Sequence, residues 1–228
     1  MKDSFYEYFL KDSLLAFLVK QKAIIKDIND LNVTFKYEID ARIIRKIFAS
    51  LKYFEVLKIE RIEKNTSYLV YLAAFYKRYK TNFKVIINQG NLFFPKGTNV
   101  EYFSFMLKRT LNLVVYKNEE LVSDLFYKIL EVNVNDIKLL VAFYNLINNN
   151  KIDTYDTLID IFNIYQGNKK KIDYTSLKNR INRKNCKKVL KEWESIKKNN
   201  IFINYDLNKV LEKLEDLVTL LSKWEGND

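Results

Sequence analysis

The stretch DARIIRKIFASLKYFEVLKIERIEKNTSYLVYL (residues 40–72) decides how the first half of the chain is read. It opens on Asp40, a helix N-cap, and continues with Ile43, Ile44, Ile47, Phe48 and Leu51 at helical spacing. After Phe54 the apolar period falls from 3.6 to 2, with Leu57, Ile59 and Ile62 set among Lys58, Glu60 and Arg61. The polar run Glu63–Thr66 then predicts a turn, and Tyr68–Leu72 a second strand. Upstream, Phe5, Phe9, Leu14, Leu15, Phe17 and Leu18 share a broad helical face behind Asp3 and Ser4. Ala23–Leu31 places Ile24, Ile28 and Leu31 at helical spacing as well. Three helices and a β-hairpin, in that order, predict a winged helix-turn-helix unit.

The same reading continues downstream. A strand is expected over Phe83–Asn88, a turn at Gln89–Asn91, and a further extended run at Leu92–Phe94. Pro95-Lys96-Gly97 breaks the sheet. From Thr98 or Asn99 the positions of Phe103, Met106, Leu107 and Leu111 predict a helix, followed by helices over 118–131 and 135–148. The last third repeats the first. A helix starts at Thr154 or Asp156 and carries Leu158, Ile161, Phe162 and Tyr165, with Gly167 suited to its left-handed cap. A short helix then carries Leu177 and Ile181, and a longer one Cys186, Val189, Leu190, Trp193 and Ile196. Ile201–Tyr205 reads as a strand, and 207–224 as a helix with Val210, Leu211, Leu214, Leu217, Val218 and Leu221 on one face. That face predicts packing on the chain itself or on a second copy, since it is too apolar to be left in water.

The expected architecture is therefore mainly α with small antiparallel β-sheets: two winged helix-turn-helix units joined by a helical middle. The expected segments are 1–97, 98–150 and 151–228.

Charge points to a partner. The 228 residues carry 39 Lys and Arg against 28 Asp and Glu, a formal balance of +11. Residues 166–200 alone hold twelve basic side chains against three acids, or +9. Such a stretch is the electrostatic footprint of a nucleic-acid binder. Lys169, Lys170, Lys171, Lys178, Arg180, Arg183, Lys184, Lys187 and Lys188 are the candidate contacts there, with Arg183 placed to reach base edges at the entry of the second helix. In the first half the counterparts are Arg42, Arg45 and Lys46, with Lys58, Arg61 and Lys64 in the wing. Tyr76-Lys77-Arg78-Tyr79-Lys80 interleaves rings with bases, so Lys77, Arg78 and Lys80 join the candidate set for phosphate contact and stacking.

Two winged-helix units in tandem, the first ending in an extended β-meander, resemble the replication initiator proteins of plasmids. The resemblance lies in the order of elements across nearly the whole chain. It implies binding to repeated origin DNA and a monomer–dimer equilibrium. Double-stranded DNA is thus the expected partner, with replication initiation or transcription regulation as the role. A homodimer would form through the helical middle or 207–224. The alternative is a winged-helix interaction subunit of a larger nucleoprotein complex with no base readout of its own.

Catalysis is not expected. Histidine is absent, cysteine occurs once and glycine four times, which removes His-dependent triads, His or Cys zinc sites and glycine-rich phosphate loops. Asp153, Asp156 and Asp160 fall at a helix start, where they complement the helix dipole. No metal and no cofactor are expected. Apolar runs such as Leu69–Phe75 are far below the roughly 20 residues of a membrane span. Met1–Phe5 lacks the apolar core of a signal peptide. With the lone Cys186, this predicts a cytoplasmic protein.

Overall fold

A computed structural model describes residues 2–62, 67–89, 95–182, 186–199 and 206–225. The chain divides into two compact units, 1–117 and 118–228.

The first unit is built on α1 (Lys2–Lys20), β1 (Ile24–Asp27), β2 (Asn32–Phe35), α2 (Ala41–Ala49), β3 (Phe54–Ile62), β4 (Ser67–Tyr76), β5 (Tyr79–Gln89), β6 (Thr98–Ser104) and β7 (Arg109–Val115). These seven strands join one sheet in the order β3-β4-β5-β2-β1-β7-β6. The pairs β2–β5 and β1–β7 are parallel, and the rest are antiparallel. One continuous mixed sheet replaces the expected small antiparallel ones, so the winged-helix reading of this half is corrected.

Two segments carry the correction. Ala23–Leu31, expected as a helix, is strand β1 and a turn in which the Asp27 carboxylate accepts from the Asn29 and Asp30 backbone N–H groups at 2.7 and 3.2 Å. Pairing on both sides, with β2 and with β7 some ninety positions away, offsets what the short Ile24–Ile25 run lacks on its own. The expected helix from Thr98 is the β6–β7 hairpin, so the middle of the chain is not helical before Asn118. Met106 and Leu107 fall in its turn, where Lys108 adopts φ 51°, and their helical spacing with Phe103 and Leu111 is coincidental. Gly97 leads into β6 at φ 69°, where a Cβ would stand 2.6 Å from Val114 Cγ1.

The core of this unit lies on one face of the sheet. Leu10, Leu14, Leu15, Phe17 and Leu18 of α1, with Ile44 and Phe48 of α2, pack on Val33, Phe35, Val70, Leu72, Ala74, Phe83, Val85 and Ile87. Helix α2 lies against β3 and is capped by Asp40, whose carboxylate accepts from Ile43 N at 2.7 Å, as its sequence predicts. At the edge of the core, Asp12 is buried and takes hydrogen bonds from Tyr102 Oη at 2.9 Å and from Ser104 Oγ, which tie β6 to α1.

The second unit is helical: α3 (Asn118–Tyr127) with a π-helical turn at Lys128–Val132, α4 (Ile137–Asn149), α5 (Thr154–Gly167), α6 (Tyr174–Ile181), α7 (Lys187–Asn199) and α8 (Leu207–Glu225). The expected segment boundary near 148–151 falls between α4 and α5, inside this unit. The 3.6-period pattern located these helices because each packs one apolar stripe into a common core, with Trp193, Phe126, Phe143 and Tyr165 as its largest buried members. Helix α8 spends its Leu/Val face on this core: Leu207, Val210, Leu214, Val218 and Leu221 are all buried in it. The expected wing strand 201–205 lies outside the described residues.

Candidate nucleic-acid interface

The two faces of the sheet differ because strand residues alternate. Where Val70, Leu72 and Ala74 point to the helices, Leu69, Tyr71, Ala73 and Phe75 point the other way. Across the β4–β5 pair, Phe75 stands opposite Lys80, Ala73 opposite Asn82, and Tyr71 opposite Lys84. Across the β3–β4 pair, Lys58 stands opposite Tyr71 and Glu60 opposite Leu69. This second face therefore carries Lys58, Lys80, Asn82 and Lys84, all exposed, together with Phe75, which is 39% exposed. Within this unit, helices α1 and α2 pack on the other side of β3, β4 and β5.

The cations sit on the rings. Lys84 Nζ lies 5.6 Å from the centre of the Tyr71 ring and Lys80 Nζ 5.1 Å from that of Phe75. The Tyr71 hydroxyl donates to Glu60 Oε2 at 2.9 Å, and Lys58 Nζ closes an ion pair with Glu60 Oε1. The Lys58 and Tyr71 hydrogen bonds hold the Glu60 carboxyl below the usual carboxylate range. The same bond raises the Tyr71 phenol, which stays protonated. Farther across the sheet a polar seam follows: Ser67 Oγ donates to Asn88 Oδ1 at 2.9 Å, Asn88 Nδ2 to Asn32 Oδ1 at 2.6 Å, and Thr34 Oγ1 lies 2.7 Å from Tyr116 Oη.

The β4–β5 turn falls at Lys77 and Arg78, with Lys77 at φ 56°. Lys77 and Arg78 are exposed, and Lys77 Nζ lies over the rings of Tyr6 and Tyr76 at 5.8 and 5.5 Å. Tyr76 in turn packs on Phe9 and Tyr53, with centroids 4.5 and 5.3 Å away. The interleaved pentapeptide expected to bind thus caps an aromatic cluster, and Lys80 continues from it onto the open face. Arg42, Arg45 and Lys46 are exposed on α2, away from that face.

The basic stretch of the second unit is arranged differently. Lys170 Nζ lies 3.0 Å from Glu131 Oε2, Arg180 Nη1 3.3 Å from the same oxygen, and Tyr165 Oη donates to Glu131 Oε1 at 3.0 Å. Arg180 Nη1 also donates to the Leu130 carbonyl in the π-helical turn. Burial raises the Glu131 carboxyl, but the Lys170 and Tyr165 hydrogen bonds with the Lys170 and Arg180 charges outweigh it and leave it low. Two of the cationic candidates, Lys170 and Arg180, are thus engaged by one carboxylate. Lys169, Lys171 and Lys178 are exposed. Arg183 and Lys184 lie outside the described residues, and Lys187 and Lys188 are placed only as backbone of α7. Cys186 is buried, its thiol pushed up by burial. Asp153 caps α5 by accepting from Asp156 N at 2.9 Å, and among the described residues no three acidic or sulfur side chains group closely enough to hold a metal.

No known family and no curated protein matches the chain. Two solved structures are similar in arrangement. One is JHP933 from Helicobacter pylori, 12% identical over 94% of this chain and 89% of that one, with a TM-score of 0.44. The other is a "putative nucleotidyltransferase" from H. pylori, 12% identical over 96% and 95%, with a TM-score of 0.45. The winged-helix DNA-binding function, and the interaction-subunit alternative built on the same fold, fall with the seven-stranded sheet. The expectation of a non-enzyme, drawn from the scarcity of histidine, cysteine and glycine, is withdrawn; the enzyme's name that one of the two similar structures bears is said of that protein alone. Among the described residues no helix is long and apolar enough to cross a membrane.

Proposed function

We propose that the first unit binds single-stranded nucleic acid on the β3–β4–β5 face of its sheet. The observation that carries this reading is the pairing of Lys80 with Phe75 and of Lys84 with Tyr71 on the face turned away from α1 and α2. Rings offer unpaired bases a stacking surface, and the lysines beside them meet the phosphates that follow. Tyr71 and Phe75 are about 13 Å apart along β4 at roughly 3.3 Å per residue, room for bases of one extended strand to reach both. A duplex keeps its bases stacked on one another and offers this face only its backbone. The lone cysteine, buried as a thiol, suits a reducing cytoplasm.

Fluorescence anisotropy of the whole chain with single strands of about ten nucleotides, and with the matching duplex, tests the reading. The single strand is expected to bind more tightly, with affinity falling steeply between about 50 and 200 mM salt. Equal or tighter binding of the duplex would sink it.

A further inference from the structure

The platform is not uniformly basic. Glu60 sits beside its central ring, where a carboxylate weakens attraction for any polyanion. Its placing is specific: the Tyr71 hydroxyl reaches it at 2.9 Å, so a base lying over the Tyr71 ring meets, past the hydroxyl, the Glu60 oxygens. Its side chain is 35% exposed, open to a ligand from the same side as Lys58 and Lys84.

Building on the single-strand reading, we infer that Glu60 selects the base stacked on Tyr71 and favours guanine. An ionised carboxylate only accepts hydrogen bonds, with about two acceptor sites on each oxygen. Lys58 occupies one site on Oε1 and Tyr71 one on Oε2, which leaves one acceptor site on each oxygen. Guanine carries two adjacent donors, N1–H and the N2 amino group, that match this pair. Cytosine and adenine bring one exocyclic amino group each. Uracil brings a single N3–H flanked by two carbonyl oxygens, which the carboxylate repels. The expected order is guanine, then cytosine and adenine, then uracil. Lys58 and Tyr71 serve as positioning residues, holding the carboxylate ionised and in place.

The test is binding of the whole chain to uridine oligonucleotides in which one central residue is replaced by guanosine, cytidine or adenosine. The guanosine strand should bind about tenfold more tightly than the all-uridine strand. Glu60→Gln removes the charge and adds a donor, so it should erase that ratio while tightening the uridine strand. A residue of merely structural importance would weaken every strand alike. Tyr71→Phe keeps the ring but frees the carboxylate, and should shrink the ratio with little change for uridine. Equal affinity for all four strands overturns base selection and leaves the single-strand reading standing. Failure of every single strand to bind overturns both.

Discussion

The two basic regions of this protein have opposite fates. In the helical unit Lys170 and Arg180 converge on the Glu131 carboxylate, within 3.0 and 3.3 Å of one oxygen. In the sheet unit Lys80 and Lys84 rest on the faces of Phe75 and Tyr71. An ion pair around a mostly buried carboxylate is stabilising where it stands and is lost if its cations turn to an outside phosphate. A lysine over a ring gives up little when a phosphate draws it away and a base takes its place. The densest run of positive charge in the sequence is thus partly structural, with Lys170 and Arg180 engaged and Lys169, Lys171 and Lys178 exposed. Charge counted along a chain does not measure charge offered to a partner.

The largest effect should come from removing the centre of the structural cluster. Glu131→Ala leaves Lys170, Arg180 and the Tyr165 hydroxyl without their common acceptor, and the half-exposed cations turn to water. A loss of about 3 kcal/mol in urea unfolding is expected, at the upper end for leaving a buried hydroxyl, that of Tyr165, without its acceptor. Single-strand affinity should stay unchanged. If it falls instead, the two regions do not divide as described.

Next in size is Phe75→Ala, which removes the exposed ring. It should cost about 2 kcal/mol of single-strand affinity. The ring is exposed, so thermal unfolding should hardly move, and a calorimetric scan separates the two readouts.

A smaller difference should appear in salt dependence. Lys80→Ala and Lys84→Ala should each flatten the slope of log affinity against log salt by about 0.7, the value for one phosphate contact on a single strand. Lys170→Ala should leave that slope as it is. A flatter slope for Lys170→Ala would show that its ion pair opens to bind.

The smallest concerns pH. The Glu131 carboxyl lies below its unfolded value, so its contribution is fully present above the ordinary glutamate range and is lost as pH falls through the lower folded value. The acid limb of a stability profile should therefore be shallower in Glu131→Gln than in the parent. Parallel limbs would mean that Glu131 titrates alike in both states.

Much of the secondary structure was legible. Helix α2 with its Asp40 cap, strands β3 to β5, and helices α3 to α8 follow from apolar spacing and capping residues, because each packs a single stripe or face. The illegible parts were Ile24–Asp27, Asn32–Phe35 and Thr98–Val115, short runs compatible with either period or too short to show one. There the strand state is set by partners distant in sequence: β1 is flanked by β2 and β7, and β7 by β1 and β6. Alternation at Leu111, Leu113 and Val115 was the available signal for β7, masked by the helical spacing just before it.

The candidate interface was half visible. Lys77, Arg78 and Lys80 stood out as bases among aromatics, and Lys58 as a basic strand residue. Tyr71, Phe75 and Lys84 did not, since their common face depends on where the β4–β5 turn falls. That turn has no glycine or asparagine to mark it, only Lys77 in a left-handed conformation.

By itself the sequence determined the helical stripes, the long central strands, the absence of histidine chemistry and the excess of positive charge. These are local or compositional properties, carried by each segment alone. The joining of seven strands into one mixed sheet, the face on which its aromatics and lysines meet, and the capture of Lys170 and Arg180 by Glu131 were decided by the tertiary structure. Each depends on pairing between segments tens of residues apart, where burial and hydrogen bonding outweigh local preference.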